Sequence, residues 1–184
     1  MYHLYKKIQW SLLRIFYYML LALVAFTGGI ATYILAPIPS YYFFGDFAFW
    51  KYIRYFHLLN IQLYRMIFLW LSDPKYRGMY AQPLTSPPMI GPDRTNVKIV
   101  REWKHGERDC AGCIKCCIKI NCTLLDSDTK RCLVYNSPYW NYFSCGRFPV
   151  SQEQIDYYQC NKWEMKNHVS KEYLGKENEQ AYHF

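Results

Sequence analysis

Residues 110–117 read Cys-Ala-Gly-Cys-Ile-Lys-Cys-Cys, and this stretch decides how the second half of the chain must fold. Two C-x2-C steps overlap and end in an adjacent pair. The series continues as Cys122, Cys132, Cys145 and Cys160, so all eight cysteines of the 184-residue chain lie between positions 110 and 160. Two residues between cysteines let one turn aim both sulfurs at a common point, as in zinc knuckles and ferredoxin-type loops. Adjacent cysteines point apart along the backbone. Cys116 and Cys117 are therefore expected to serve different centres, or one of them to be a supporting thiol. A disulfide framework would need an oxidising compartment and Cα separations near ~5.5 Å, and the overlapping steps crowd such bridges. The spacing predicts a small irregular α+β domain built around metal, with Cys110, Cys113, Cys116, Cys117, Cys122, Cys132, Cys145 and Cys160 as the ligands.

These residues resemble the CxxCxxCC family of zinc- or iron-chelating proteins, which includes relatives of flagellin lysine methylase. Cys110, Cys113, Cys116 and Cys117 match the motif that names the family. Cys122 with Leu124 and Leu125, followed by Cys132, Val134 and Tyr135, looks like its C-x-x-L…C-x-[IV]-Y stretch. Cys145 with Phe148 and Pro149 resembles C-R-x-F-P, and Cys160 fills the closing position. The step from Cys117 to Cys122 is shorter than is usual there, the step from Pro138 to Cys145 is longer, and arginine stands at 147 rather than directly after the cysteine. The resemblance implies bound metal more than any activity. Together with the ferredoxin-like opening it favours an iron–sulfur cluster, with zinc as the alternative.

The first half reads differently. No charged side chain occurs from Ile15 to Gly45. Residues 15–36 would make a helix about 33 Å long, enough to cross a hydrocarbon core of ~30 Å. Lys6, Lys7 and Arg14 precede it, and Gly28-Gly29 would let another helix approach closely. The run is too long for a secretory h-region, and Pro37-Ile38-Pro39 is no cleavage site. Residues 47–71 are expected to form a second helix. Lys51, Arg54, Gln62 and Arg65 fall on one side of it, facing a protein partner or snorkelling. It either completes a membrane hairpin or lies in the interface.

Between the halves, residues 73–96 carry Pro74, Pro83, Pro87, Pro88 and Pro92, which predicts an extended connector without helix. Residues 97–103 alternate loosely and predict a strand entering the cysteine domain, which is taken as 97–161. Asp126 and Asp128 read as turn residues. Ser151 with Gln154 reads as a capping box opening a short helix that ends near Cys160. Residues 162–184 read as a surface or docking tail.

Charge narrows the function. Of 22 Lys+Arg and 14 Asp+Glu, eight basic and two acidic residues fall before position 78, so the basic excess sits around the apolar segments. That pattern suits anionic lipid head groups and puts the cysteine domain on the cytoplasmic, reducing side. Arg94, Lys98, Arg101, Lys104 and Arg108 are diluted by Glu102 and Glu107, a solvated face rather than a nucleic-acid stripe. No nucleotide, hydrolase or metalloprotease motif is present. His105 reads as an exposed loop histidine. The sequence predicts a membrane-anchored, non-enzymatic accessory subunit of a larger membrane complex. Its rivals are an iron–sulfur electron carrier serving a membrane oxidoreductase and a methyl-transferring enzyme.

Overall fold

The computed structural model describes residues 2–79, 83–100, 113–126 and 128–166. It is mostly helical, with two short two-stranded sheets. Helix α1 runs Tyr2–Phe26, not over 15–36. It stops there because Gly28 takes a left-handed φ of 64°, while Gly29 N–H bonds the Val24 carbonyl and Gly28 N–H that of Ala25. This is a Schellman cap, for which glycine has the required freedom. The glycine pair expected as a contact point inside a helix is therefore a helix end. It remains a contact point too. A Cβ on Gly29 would lie 2.6 Å from Asn60 Nδ2, and Asn60 itself donates to the Gly29 carbonyl.

Short helices α2 (Ile30–Ile34) and α3 (Pro37–Phe44) follow. Two 3-10 turns then lead into α4 (Phe56–Ser72). Tyr64 bonds Ala25 and Asn60 bonds Gly29, so α4 runs back antiparallel to α1. The two helices thus lie side by side, joined by α2, α3 and the two 3-10 turns. Helix α4, however, has 17 residues, about 25 Å at ~1.5 Å each, and among the described residues only α1 is long and apolar enough to cross a membrane.

The connector is not free of helix. Pro74–Met79 forms α5. Asp73 accepts hydrogen bonds from the Lys75 and Tyr76 N–H groups, and Pro74 occupies the first position, where its missing N–H costs nothing. Strand β1 (Val97–Ile99) pairs antiparallel with β4 (Trp163–Met165), Lys98 facing Glu164 across the ladder at 3.0 Å. Trp163 is 1% exposed. The segment expected to begin a surface tail is thus part of the fold, while residues 167–184 lie outside the described residues.

The remaining elements frame the cysteines: α6 (Lys115–Lys119), the β2–β3 hairpin (Leu125–Asp126 with Arg131–Cys132), α7 (Pro138–Tyr142) and α8 (Gln152–Tyr158). Asp126 closes the hairpin as expected, accepting from Asp128 N–H and from the Thr129 hydroxyl. At α8 the box is displaced by one residue, because Gln154 accepts from Val150 N–H and no side-chain bond caps at Ser151.

One core joins both halves. Tyr17 of α1, Tyr42 of α3, and Phe56 and Leu59 of α4 pack with Leu124, Val134 and Tyr139 of the cysteine unit. The Tyr17 ring stacks on Tyr42 at 4.5 Å and touches Phe143 at the same distance. A second core of Val97, Phe148, Ile155, Tyr158 and Trp163 lies under the β1–β4 sheet.

Candidate metal centre

The seven described cysteines come from five stretches of chain and line one cavity of about 1110 Å³. Cys110 and His105 lie outside the described residues. The cavity has two unlike walls. Cysteines and the short elements that carry them form one. Apolar side chains of α1 and α4, among them Leu20, Leu63, Met66 and Trp70, form the other.

Cys116 and Cys117 are successive residues of α6, so their side chains leave the helix about 100° apart. They serve different surroundings. Cys116 packs with Cys160 against the core under the sheet, whereas the Cys117 thiol donates to the Cys122 sulfur. Cys122 and Cys132 pack against the core shared with α1 and α4. Cys145, in the 3-10 turn Ser144–Arg147, is within electrostatic reach of Cys117.

Two of these cysteines sit in equivalent turns. The Leu125 N–H bonds the Cys122 carbonyl at 3.3 Å, and the Tyr135 N–H bonds the Cys132 carbonyl at 3.3 Å. In each turn the residue two positions on, Leu124 or Val134, is 3% exposed and points into the core, while its N–H is directed at the cysteine sulfur. Main-chain N–H groups aimed at sulfur favour the thiolate. For Cys122 the largest effect is the hydrogen bond from Cys117. With Leu124, Leu125 and the nearby Arg65 charge, it outweighs desolvation and lowers the thiol to about 7. The same bond raises Cys117. Burial raises Cys132 to about 11, against the N–H of Val134.

The helical wall holds this turn in place. Gln62 Oε1 accepts from the Thr123 N–H at 2.9 Å, the Thr123 hydroxyl donates to the Leu58 carbonyl at 2.8 Å, and Arg65 donates to the Asn121 carbonyl. The polar stripe on the second helix is legible in the sequence. Its partner is not, for Gln62 and Arg65 face the chain's own cysteine turn. The other two residues of the stripe stay local, Lys51 paired with Asp46 and Arg54 with Tyr55.

The donor set fits a thiophilic metal by kind, since thiols surround the cavity and one of them, Cys122, is held toward the thiolate by its hydrogen bonds. Among the described residues, no disulfide joins two cysteines and no three Cys, His, Asp or Glu side chains converge closely enough to form a closed cage. The structure thus presents a hydrogen-bonded pair with further thiols around it. No protein-family model, curated protein or solved structure matches the chain. The likeness to the CxxCxxCC family therefore rests on the cysteine spacing and its flanking residues.

Proposed function

We propose that the protein is a membrane-anchored accessory subunit of a larger membrane complex, in which cysteine thiolates hold metal in the cleft between the helices and the cysteine unit. One observation carries this reading: seven thiols distant in sequence share a single cavity, and its opposite wall is a pair of helices with apolar outer faces. Iron with sulfide would supply one-electron chemistry there, and zinc a structural cross-link. Cys117, Cys122, Cys132 and Cys145 would form one ligand group. Cys113, Cys116 and Cys160 would belong to another. Gln62 and Arg65 position the Cys122 turn, and Tyr139, Phe143 and Trp140 restrict water. The cysteine unit is assigned to the cytoplasmic, reducing side.

The apolar wall beside the sulfurs favours a second reading, an iron–sulfur electron carrier, because a shielded cluster can change charge without solvent attack. Anaerobic purification from native membranes, with iron, zinc and acid-labile sulfide measured, tests both. Iron with stoichiometric sulfide and a reversible potential supports the carrier. Stoichiometric zinc supports the structural subunit. Metal-free protein with its eight thiols paired in disulfides overturns both.

A further inference from the structure

From Arg14 onward the two faces of α1 differ in burial. Leu4, Ile8, Leu12, Met19, Leu23 and Phe26 form a continuous exposed stripe at helical spacing. On the other face Arg14, Tyr17, Leu20 and Val24 are buried. Helix α4 repeats the pattern. Phe56, Leu59 and Gln62 are buried, while Ile61, Tyr64, Phe68 and Leu71 are exposed.

Arg14 decides how such a pair can meet a bilayer. It stands midway along α1 and is 0% exposed. Its guanidinium donates to the carbonyls of Leu84 and Ser86, both at 2.6 Å, and of Tyr142 at 3.2 Å. Twelve residues, about 18 Å, separate it from either end of the helix. If α1 crossed a bilayer with a core of ~30 Å, Arg14 would stand near its centre. The irregular backbone at 84–86 and the end of α7 would then be held there too. Hydrocarbon does not accommodate irregular backbone groups that face lipid. The stretch of α1 beyond Arg14, Ile15 to Phe26, spans only about 18 Å and is too short to cross alone.

We propose that the folded protein is monotopic, with the outer faces of α1 and α4 sunk into one leaflet and no part of the chain crossing. The polar inner faces stay with the protein, where Arg14, Gln62 and Arg65 already have carbonyl and N–H partners. Exposed Trp50 and Tyr64 suit the interfacial layer. Exposed Lys7, Arg54, Lys75 and Arg77 supply charge complementary to anionic head groups. The occupant of the face is therefore a lipid surface rather than a second copy of the chain. All eight thiols then remain on the side of synthesis without any translocation.

This rests on the membrane reading above, and the experiment separates the two. The unaltered full chain is synthesised without cells beside sealed vesicles, either of phosphatidylcholine or of phosphatidylcholine mixed with phosphatidylglycerol. Floated vesicles are treated with a membrane-impermeant amine reagent before or after detergent, and labelling is read by mass spectrometry. Lys7 lies in α1, and Lys51 lies beyond its far end. One-leaflet binding predicts flotation that strengthens with phosphatidylglycerol and resists salt extraction, with Lys7 and Lys51 labelled to the same extent and no gain on adding detergent. Flotation with one of the two lysines protected until detergent is added would overturn the monotopic arrangement and leave the membrane reading standing. A chain that stays in solution, as a monomer or as a dimer, would overturn both, while the metal content would be unaffected.

Discussion

The two walls of the cysteine cleft are made in different ways. The helical wall comes from local periodicity. Residues 14, 17, 20 and 24 of α1 and 56, 59 and 62 of α4 bury one face each, and the caps at Gly28 and Asp73 are set within a few residues. The sulfur wall has little regular structure. Strands β2 and β3 are two residues each and α6 is five, and its cysteines reach the cleft through turns separated by long stretches of chain. A wall of the first kind keeps most of its stability when the cleft is empty. A wall of the second kind depends on what ties its turns together.

The strongest way to break the comparison is to strip the metal. A structural site can contribute ~10 kcal/mol or more, against a net domain stability of ~5–15 kcal/mol. Chelation, or Cys122→Ser or Cys132→Ser, should abolish hydrogen-exchange protection across residues 113–166 while amides within α1 and α4 remain protected. Equal loss on both walls would show that they fold as one cooperative unit, held by the core of Tyr17, Phe56 and Tyr139.

A smaller effect should appear on the helical wall alone. Gly29→Ala places a methyl group against Asn60 at a φ of 89°, and strain with crowding should cost about 1–3 kcal/mol. Denaturant unfolding should register that loss with metal content unchanged. Asn60→Ala in the same chain should recover the steric part and leave the backbone strain.

The smallest effect concerns Asp73, which links α5 to α8. The Tyr76 N–H does most to hold its carboxyl below the ordinary value, helped by the Tyr157 hydroxyl and the Lys75 N–H. A depressed carboxyl stabilises the fold above its unfolded pKa of ~3.9, and that contribution disappears as pH falls through the folded value. Asp73→Asn should therefore lower the melting temperature slightly at neutral pH. It should also flatten the decline expected of the wild type below about pH 4. An unchanged acid limb would remove this link between the walls.

Much of the helical wall is legible in the sequence. The apolar run, the second helix and its polar stripe all follow from side-chain spacing. The ends of the helices do not, for physical reasons. Lys6, Lys7 and Arg14 look like flanks because charge usually stops a membrane segment, yet all three lie within α1, and the chain itself covers Arg14. Small size suggests a contact for the glycine pair, whereas its left-handed φ makes it a helix end. Asp73-Pro74 is hidden among breakers although together they start a helix. Within the site, the separation of Cys116 from Cys117 follows from adjacency. The support given to Cys122 by Leu58, Gln62 and Arg65 does not, because those residues lie in the other half of the chain.

By itself, the sequence determined the two kinds of wall, the concentration of thiols and the basic, apolar character of the first half, since each depends on composition and short-range spacing. Tertiary structure alone decided what the polar residues face. Arg14 is matched by carbonyls some seventy and 128 positions away, and Gln62 by Thr123. A buried polar group takes whichever partner the packed chain brings within ~3 Å, and no periodicity encodes that choice.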